Sequence, residues 1–175
     1  MNQAITNSDD SITELDRLSE LTSDVLRRCK AKGASEVDLG FGVDVGLNVS
    51  VRLGKVESIE HNRDRGLSLT VFFGKRKGSA STADLNPDSI EKTIEHACAI
   101  ARHTEADPCN GLADADLLAH DFPDLDLWHP WQIDIEAATD LALRCEAAGR
   151  EHDPRISNSE GATVQIGSSL GVGAT

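Results

Sequence analysis

The alternation of apolar and polar positions divides this chain into blocks of two different periods. Leu15, Leu18, Thr22, Val25, Leu26 and Cys29 recur at helical spacing, and Gly33 is a natural stop. Ahead of them, Ser11-Ile12-Thr13-Glu14 has the form of a capping box, in which hydroxyl and carboxylate satisfy free amides. A first helix is therefore predicted over about 11–32. From Glu36 the period becomes two. Val37, Leu39, Phe41, Val43, Val45, Leu47, Val49, Val51 and Leu53 alternate with small or polar residues, as in a half-buried strand. That run is long for one strand, so a turn is expected near residues 44–48. Further turn signals at Gly54-Lys55, at Asp64-Arg65-Gly66 and from Gly74 to Gly78 divide the chain beyond it. About five short strands result, most simply an antiparallel meander.

Asn86-Pro87-Asp88 opens a second helix, with Asn86 as cap and Pro87 in the first turn. Ile90, Ile94, Ala97, Cys98 and Ala101 form its apolar stripe, and Asp107-Pro108 lies beyond its end. The stretch from there to Trp131 has no clear period, and so long a connection is unusual in a compact domain. Its apolar side chains predict that it packs along a surface. A third helix is expected from about Asp134 to Gly149, with Ala137, Ala138, Leu141, Cys145 and Ala148 on its buried face. One more strand is expected over residues 156–166, ahead of a Gly-rich tail. The reading is an α+β fold: a mainly antiparallel sheet of about five strands with three helices packed on one face. Residues 1–155 form one domain in this reading. Residues 156–175 begin a β domain that stops short, as in a piece of something longer.

Charge narrows the partners. Thirty acidic side chains face seventeen basic ones, a formal charge of −13. Such a field repels phosphate backbones, so nucleic acid is a poor partner. No stretch has the apolar length to span a bilayer, and the first ten residues lack the features of a signal peptide. With four dispersed cysteines and no C-x-x-C pair, free buried thiols and a cytoplasmic setting are expected.

Catalytic chemistry is hard to find. A zinc peptidase needs two histidines on one helical face with a glutamate nearby. None of the six histidines here is followed by Glu, so neither H-E-x-x-H nor H-E-x-x-x-H occurs. His96 and Cys98 point to different sides of a helix, and His96 and His103 stand roughly 10 Å apart along it. The Asp-rich 107–126 stretch lacks the glycine and terminal glutamate of an EF-hand loop. Gly74-Lys75-Arg76-Lys77-Gly78 is the one basic cluster, either a charged hairpin tip or a contact for an acidic partner. Catalytic and metal-ligating residues are therefore assigned to none. Arg63, Arg65, Lys75, Arg76, Lys77, Trp128 and Trp131 are the candidates for peptide or partner contact. For the two tryptophans, filling the domain's own core is the favoured alternative.

Several segments, taken in order, resemble the TldE/PmbA subunit of the TldD/PmbA metalloprotease family. They are Asn62 to Val71, Gly74 to Leu85, Ala101-Arg102-His103-Thr104 with Asp107-Pro108-Cys109, Asp124-Leu125-Asp126-Leu127-Trp128-His129-Pro130, and Arg155 to Gly161. The resemblance implies a cytoplasmic bacterial protein of a family long described as modulators of DNA gyrase. That family is also associated with maturation of a peptide antibiotic and degradation of an antitoxin. It further implies a non-catalytic subunit paired with a TldD-type partner, whose H-E-x-x-x-H site carries the zinc. No cofactor is then expected in this chain, and unfolded peptides are the implied substrates of the pair. A non-enzymatic module acting on DNA gyrase or a toxin-antitoxin system is the alternative.

Overall fold

A computed structural model of the chain describes residues 8–119, 121 and 123–175. Among them are three α-helices, four strands and a short 3-10 turn at Ala115–Leu117. The helices are α1 (Ser8–Ala31), α2 (Pro87–His103) and α3 (Ile135–Arg150). The strands are β1 (Glu36–Arg52), β2 (Lys55–Phe73), β3 (Arg76–Thr82) and β4 (Ala162–Ala174). The sheet runs β3-β2-β1-β4, and the chain is α+β with an antiparallel sheet.

The strand count is four because two expected turns are not made. β1 passes through residues 44–48 without a break, and β2 passes through Asp64-Arg65-Gly66 in the same way. Backbone pairing with a neighbouring strand outweighs the local turn preference of Gly and Asp there. The Gly-rich tail is also strand, since β4 continues to Ala174. Its glycines alternate with Leu170, Val172 and Ala174, a period of two hidden by the small residues. Ser11 does not cap α1. The helix already includes Ser8, and Ser11 is buried one turn inside it.

The chain divides into two compact units. One holds residues 8–43, Asp64–Leu127 and Leu170–Thr175. Its core joins Leu18, Val25 and Cys29 of α1 to Val37, Leu39 and Phe41 of β1. Leu67, Leu69 and Val71 of β2 and Ile90, Ile94 and Ala97 of α2 complete it. α2 forms as its sequence demands: Asn86 accepts the Ser89 amide at 2.8 Å, and Pro87 needs no partner for its missing N–H. β3 packs on α2 so closely that a Cβ on Gly78 would collide with backbone atoms of Ala97 and Ala101. On the outside, Arg28 of α1 and Lys32, just past its end, pair with Glu91 of α2. Lys32 first and Arg28 second hold the Glu91 carboxyl below its ordinary range.

Within this unit Cys29 and Cys98 are buried and free and Cys109 is free but exposed; Cys145, in the other unit, is also free and exposed. Only two of the four thiols thus have the buried setting expected of them. Burial, with Cys98 nearby, pushes the Cys29 thiol up to about 11, so it stays protonated at neutral pH.

The other unit holds Asp44–Arg63 and Trp128–Ser169. α3 starts at its cap Asp134, which accepts the Ala137 amide at 2.8 Å. Its buried positions are Ala138, Ala142 and Glu146, each one turn from the last. Ala138 is buried as expected, but the rest of the buried face is Ala142 and Glu146, each one residue along from the expected Leu141 and Cys145, about 100° around the helix. Ala137, Cys145 and Ala148 are exposed and Leu141 is half-buried. The physical reason is Glu146, a charged residue that occupies the inner face because it has work to do there.

Candidate functional site

In the unit that contains α3, Leu53 and Gly54 form the two-residue turn between β1 and β2. Both have positive φ, 51° and 75°, the geometry that suits the right-handed twist of a hairpin. Glycine adopts it freely, but a leucine there is strained. The Glu146 carboxylate closes over this turn, accepting the Leu53 amide at 2.7 Å and the Gly54 amide at 2.8 Å. The Gly54 and Leu53 amides hold the carboxyl below its ordinary value, and the Ser159 hydroxyl and Arg150 add to this. Ser159 also accepts Arg52 Nε through its carbonyl at 3.0 Å, and its hydroxyl accepts the Gly161 amide at 2.8 Å. Glu146 thus joins α3, the hairpin and the Arg155–Gly161 segment through polar contacts. It is absent from the candidates that sequence reasoning supplies. The available signal is a single carboxylate one turn beyond Ala138 and Ala142.

The basic turn lies in the unit that contains α2, and most of its charge is spent internally. Lys75 donates from Nζ to the Asn110 carbonyl at 2.8 Å, and its own carbonyl accepts the Asp107 amide at 3.0 Å. Arg76 donates to the Arg102 carbonyl at 3.0 Å. Arg102 in turn donates to the Lys32 carbonyl and lies 4.8 Å from the Phe73 ring centre. Lys75 and Arg76 therefore fasten the chain that leaves α2, while Lys77 is exposed beside them.

Arg63 and Arg65 are exposed positions of β2. β3 pairs with β2 only from Leu67 onward, so among the described residues the 55–63 stretch has β1 as its one sheet neighbour. This stretch is solvent-exposed on both faces, with Val56 and Ile59 about half accessible. Lys55, Glu57, Glu60 and Arg63 place charge along it, which discourages self-pairing of an open edge.

Trp128 is half-buried, with its indole nitrogen enclosed. Trp131 is 61% exposed and does not fill a core. It borders a cleft of about 400 Å³ with Ile133, Ala137, Asp140, Leu141 and Arg144. The seven candidates divide between the two units, with Arg63, Trp128 and Trp131 in one and Arg65, Lys75, Arg76 and Lys77 in the other. Leu117, Leu125 and Leu127 also stand in solvent, so the connection after α2 packs less of its apolar surface than its composition led one to expect. Among the described residues no three His, Cys, Asp or Glu side chains converge as metal ligands. His120 and Phe122 of the Asp-rich stretch lie outside the described residues. No described helix is long and apolar enough to cross a membrane.

These elements, in this order, belong to a known family. PmbA/TldA metallopeptidase domain 1 matches residues 37–101, and the PmbA/TldA metallopeptidase central domain matches residues 128–175. The chain belongs to the PmbA/TldD metallopeptidase family, on its PmbA/TldE side. It is 44% identical over 144 residues to the metalloprotease PmbA of Escherichia coli O157:H7, covering 82% of this chain and 32% of that protein. It is 48% identical over 118 residues to the PmbA homolog of Haemophilus influenzae, covering 67% and 26%. The chain thus spans about a third or less of these relatives' length. A Bacteroides thetaiotaomicron protein described as a modulator of DNA gyrase shares the fold, with a TM-score of 0.63 at 23% identity, over 90% of this chain and 35% of its own. TldE from Thermococcus kodakarensis shares it with a TM-score of 0.57 at 16% identity, over 85% and 37%.

Proposed function

We propose that this chain is the N-terminal part of a non-catalytic subunit, acting in the cytoplasm beside a zinc-bearing TldD-type subunit that cleaves unfolded peptides. The observation that supports this reading is membership of the PmbA/TldE side of the family. The catalytic zinc then belongs to the partner. The stretch of β2 at residues 55–61, which β3 does not reach among the described residues, supports a role in holding substrate, because an extended peptide can add to a strand edge in register. Val56 and Ile59 supply apolar contacts on either side of that edge. The test is digestion of an unfolded peptide by a TldD-type subunit, with and without this chain and with and without EDTA. Faster cleavage when the chain is added, abolished by EDTA, is expected. Metal-dependent cleavage by this chain alone, or no gain on mixing, overturns the proposal.

A second reading, direct action on DNA gyrase without proteolysis, draws on the description of the Bacteroides neighbour. Binding of gyrase by the purified chain with no zinc subunit present would favour it.

A further inference from the structure

Of the seven asparagines in the chain, only Asn110 is followed by glycine. That order matters chemically, because a glycine nitrogen has no side chain beside it to block an approach to the Asn side-chain carbonyl. Asn110 lies in the connection after α2, and three polar contacts hold it. Lys75 Nζ donates to its main-chain carbonyl at 2.8 Å, and its own Nδ2 donates to the Lys75 carbonyl at 3.2 Å. Its amide donates to the Asp107 carbonyl at 2.9 Å. Gly111 follows with φ 151°, a backbone that favours glycine. A Cβ there would stand 3.3 Å from both Lys75 Nζ and Glu36 Oε2. Glu36 also accepts the Leu112 amide at 3.3 Å. An ammonium and a carboxylate thus flank one Asn–Gly peptide bond.

We propose that Asn110–Gly111 is a self-modification site, at which Lys75 and Glu36 promote deamidation of the asparagine through a cyclic imide. The Gly111 amide gives up its proton, to the Glu36 carboxylate directly or through one water, and its nitrogen attacks Asn110 Cγ. The Cγ–Nδ2 bond breaks, and Nδ2 leaves as ammonia with the proton that Gly111 released. Water is the one co-reactant and opens the imide. Attack at Cγ yields aspartate, and attack at the main-chain carbonyl yields isoaspartate. Nothing is oxidised or reduced. The part played by Lys75 follows from the carbonyl it holds. The Asn110 oxygen belongs to the same peptide unit as the Gly111 nitrogen, so negative charge formed on that nitrogen spreads onto an oxygen where the ammonium already sits. In either product the Nδ2 donor is gone, and a carboxylate is left near the Lys75 carbonyl, acceptor against acceptor. The segment from Asp107 to Leu112 then loses its fastening to the turn between β2 and β3, once per molecule and without reversal.

Incubation of the full chain at neutral pH tests this, with peptide mapping by mass spectrometry and isoaspartyl methyltransferase labelling to locate the products. Conversion is expected at Asn110 ahead of the other six asparagines. It should run faster in the folded chain than in a synthetic peptide of residues 106–115, which contains neither Lys75 nor Glu36. Lys75→Met should slow it about tenfold, the loss of one charged donor at a half-buried site. A lysine that only restrained the loop would give the opposite result, because its removal frees the asparagine to cyclise. Glu36→Gln removes the proton acceptor while keeping an oxygen for the Leu112 amide, and it should also slow conversion. Circular dichroism confirms that each variant is folded. Asn110→Asp reproduces one product and should raise hydrogen exchange at the Asp107 amide, which the Lys75 carbonyl accepts. A peptide that converts as fast as the folded chain, an unchanged or raised rate in either variant, or chain cleavage at Asn110–Gly111 in place of deamidation overturns the inference.

Discussion

The carboxylate of Glu146 accepts the backbone amide of Leu53 at 2.7 Å, across 93 residues of sequence. Its second oxygen takes the neighbouring amide of Gly54, so both donors of the turn end on one side chain. The contact is local in space but long-range in sequence. It holds in place a turn whose first residue would otherwise resist it. Glu146→Ala leaves both amides without this acceptor and should lower the thermal midpoint. Glu146→Gln keeps one acceptor oxygen and should lower it less. Melting followed by circular dichroism checks the order; equal midpoints for wild type and Glu146→Ala would contradict it.

The pH dependence has its origin in the same contact. The Gly54 and Leu53 amides depress the folded carboxyl below its ordinary value of 4.5, so the unfolded chain binds the proton more readily. The stabilisation is complete above that value and is lost as the pH falls through the lower, folded one. Glu91, held down by Lys32 and Arg28, contributes with the same sign. Urea titrations at a series of acid pH values should show stability declining below about pH 5, with a flatter decline in Glu146→Gln.

Leu53 itself is improvable. At φ 51° its side chain crowds the backbone, whereas Asn tolerates that region. Its side chain is also 46% exposed, so little burial is forfeited by replacing it. Leu53→Asn should stabilise the chain by about 0.5–1 kcal/mol, read from the midpoint of denaturant unfolding at unchanged slope. A destabilised variant would show that the leucine makes contacts worth more than its strain.

Thiol chemistry reports on the unit that contains α2. Cys109 and Cys145 are exposed, whereas Cys29 and Cys98 are buried among α1 and α2 with raised pKa values. Ellman's reagent should therefore label two thiols rapidly in the native chain and all four after denaturation. Rapid labelling of a third thiol in native conditions would mean that the α1–α2 packing opens readily.

α2 was legible in full because cap, first-turn proline and stripe all agree: Asn86, Pro87, and Ile90 through Ala101. The α+β class came from the switch of period at Glu36. What sequence could not decide was which of two faces of α3 turns inward. Ala138 was expected inside and is, but Ala142 and Glu146 are buried where Leu141 and Cys145 were expected, because the distant hairpin amides reward a carboxylate there. The turns expected near residues 44–48 and 64–66 failed for a related reason. A strand neighbour is information that local residue preference does not contain. For the candidate site, Lys75 and Arg76 were identifiable as a basic pair, but not as donors to the carbonyls of Asn110 and Arg102.

The approach of β3 to α2 at Gly78 brings main chain against main chain, with no side chain in between to absorb an error. Most junctions in a folded protein can be retuned by trading one methyl group for another. This one has nothing to trade, so helix and strand either seat fully or come apart. Adaptation in this part of the molecule must therefore be carried by the surfaces around the seam and never by the seam itself.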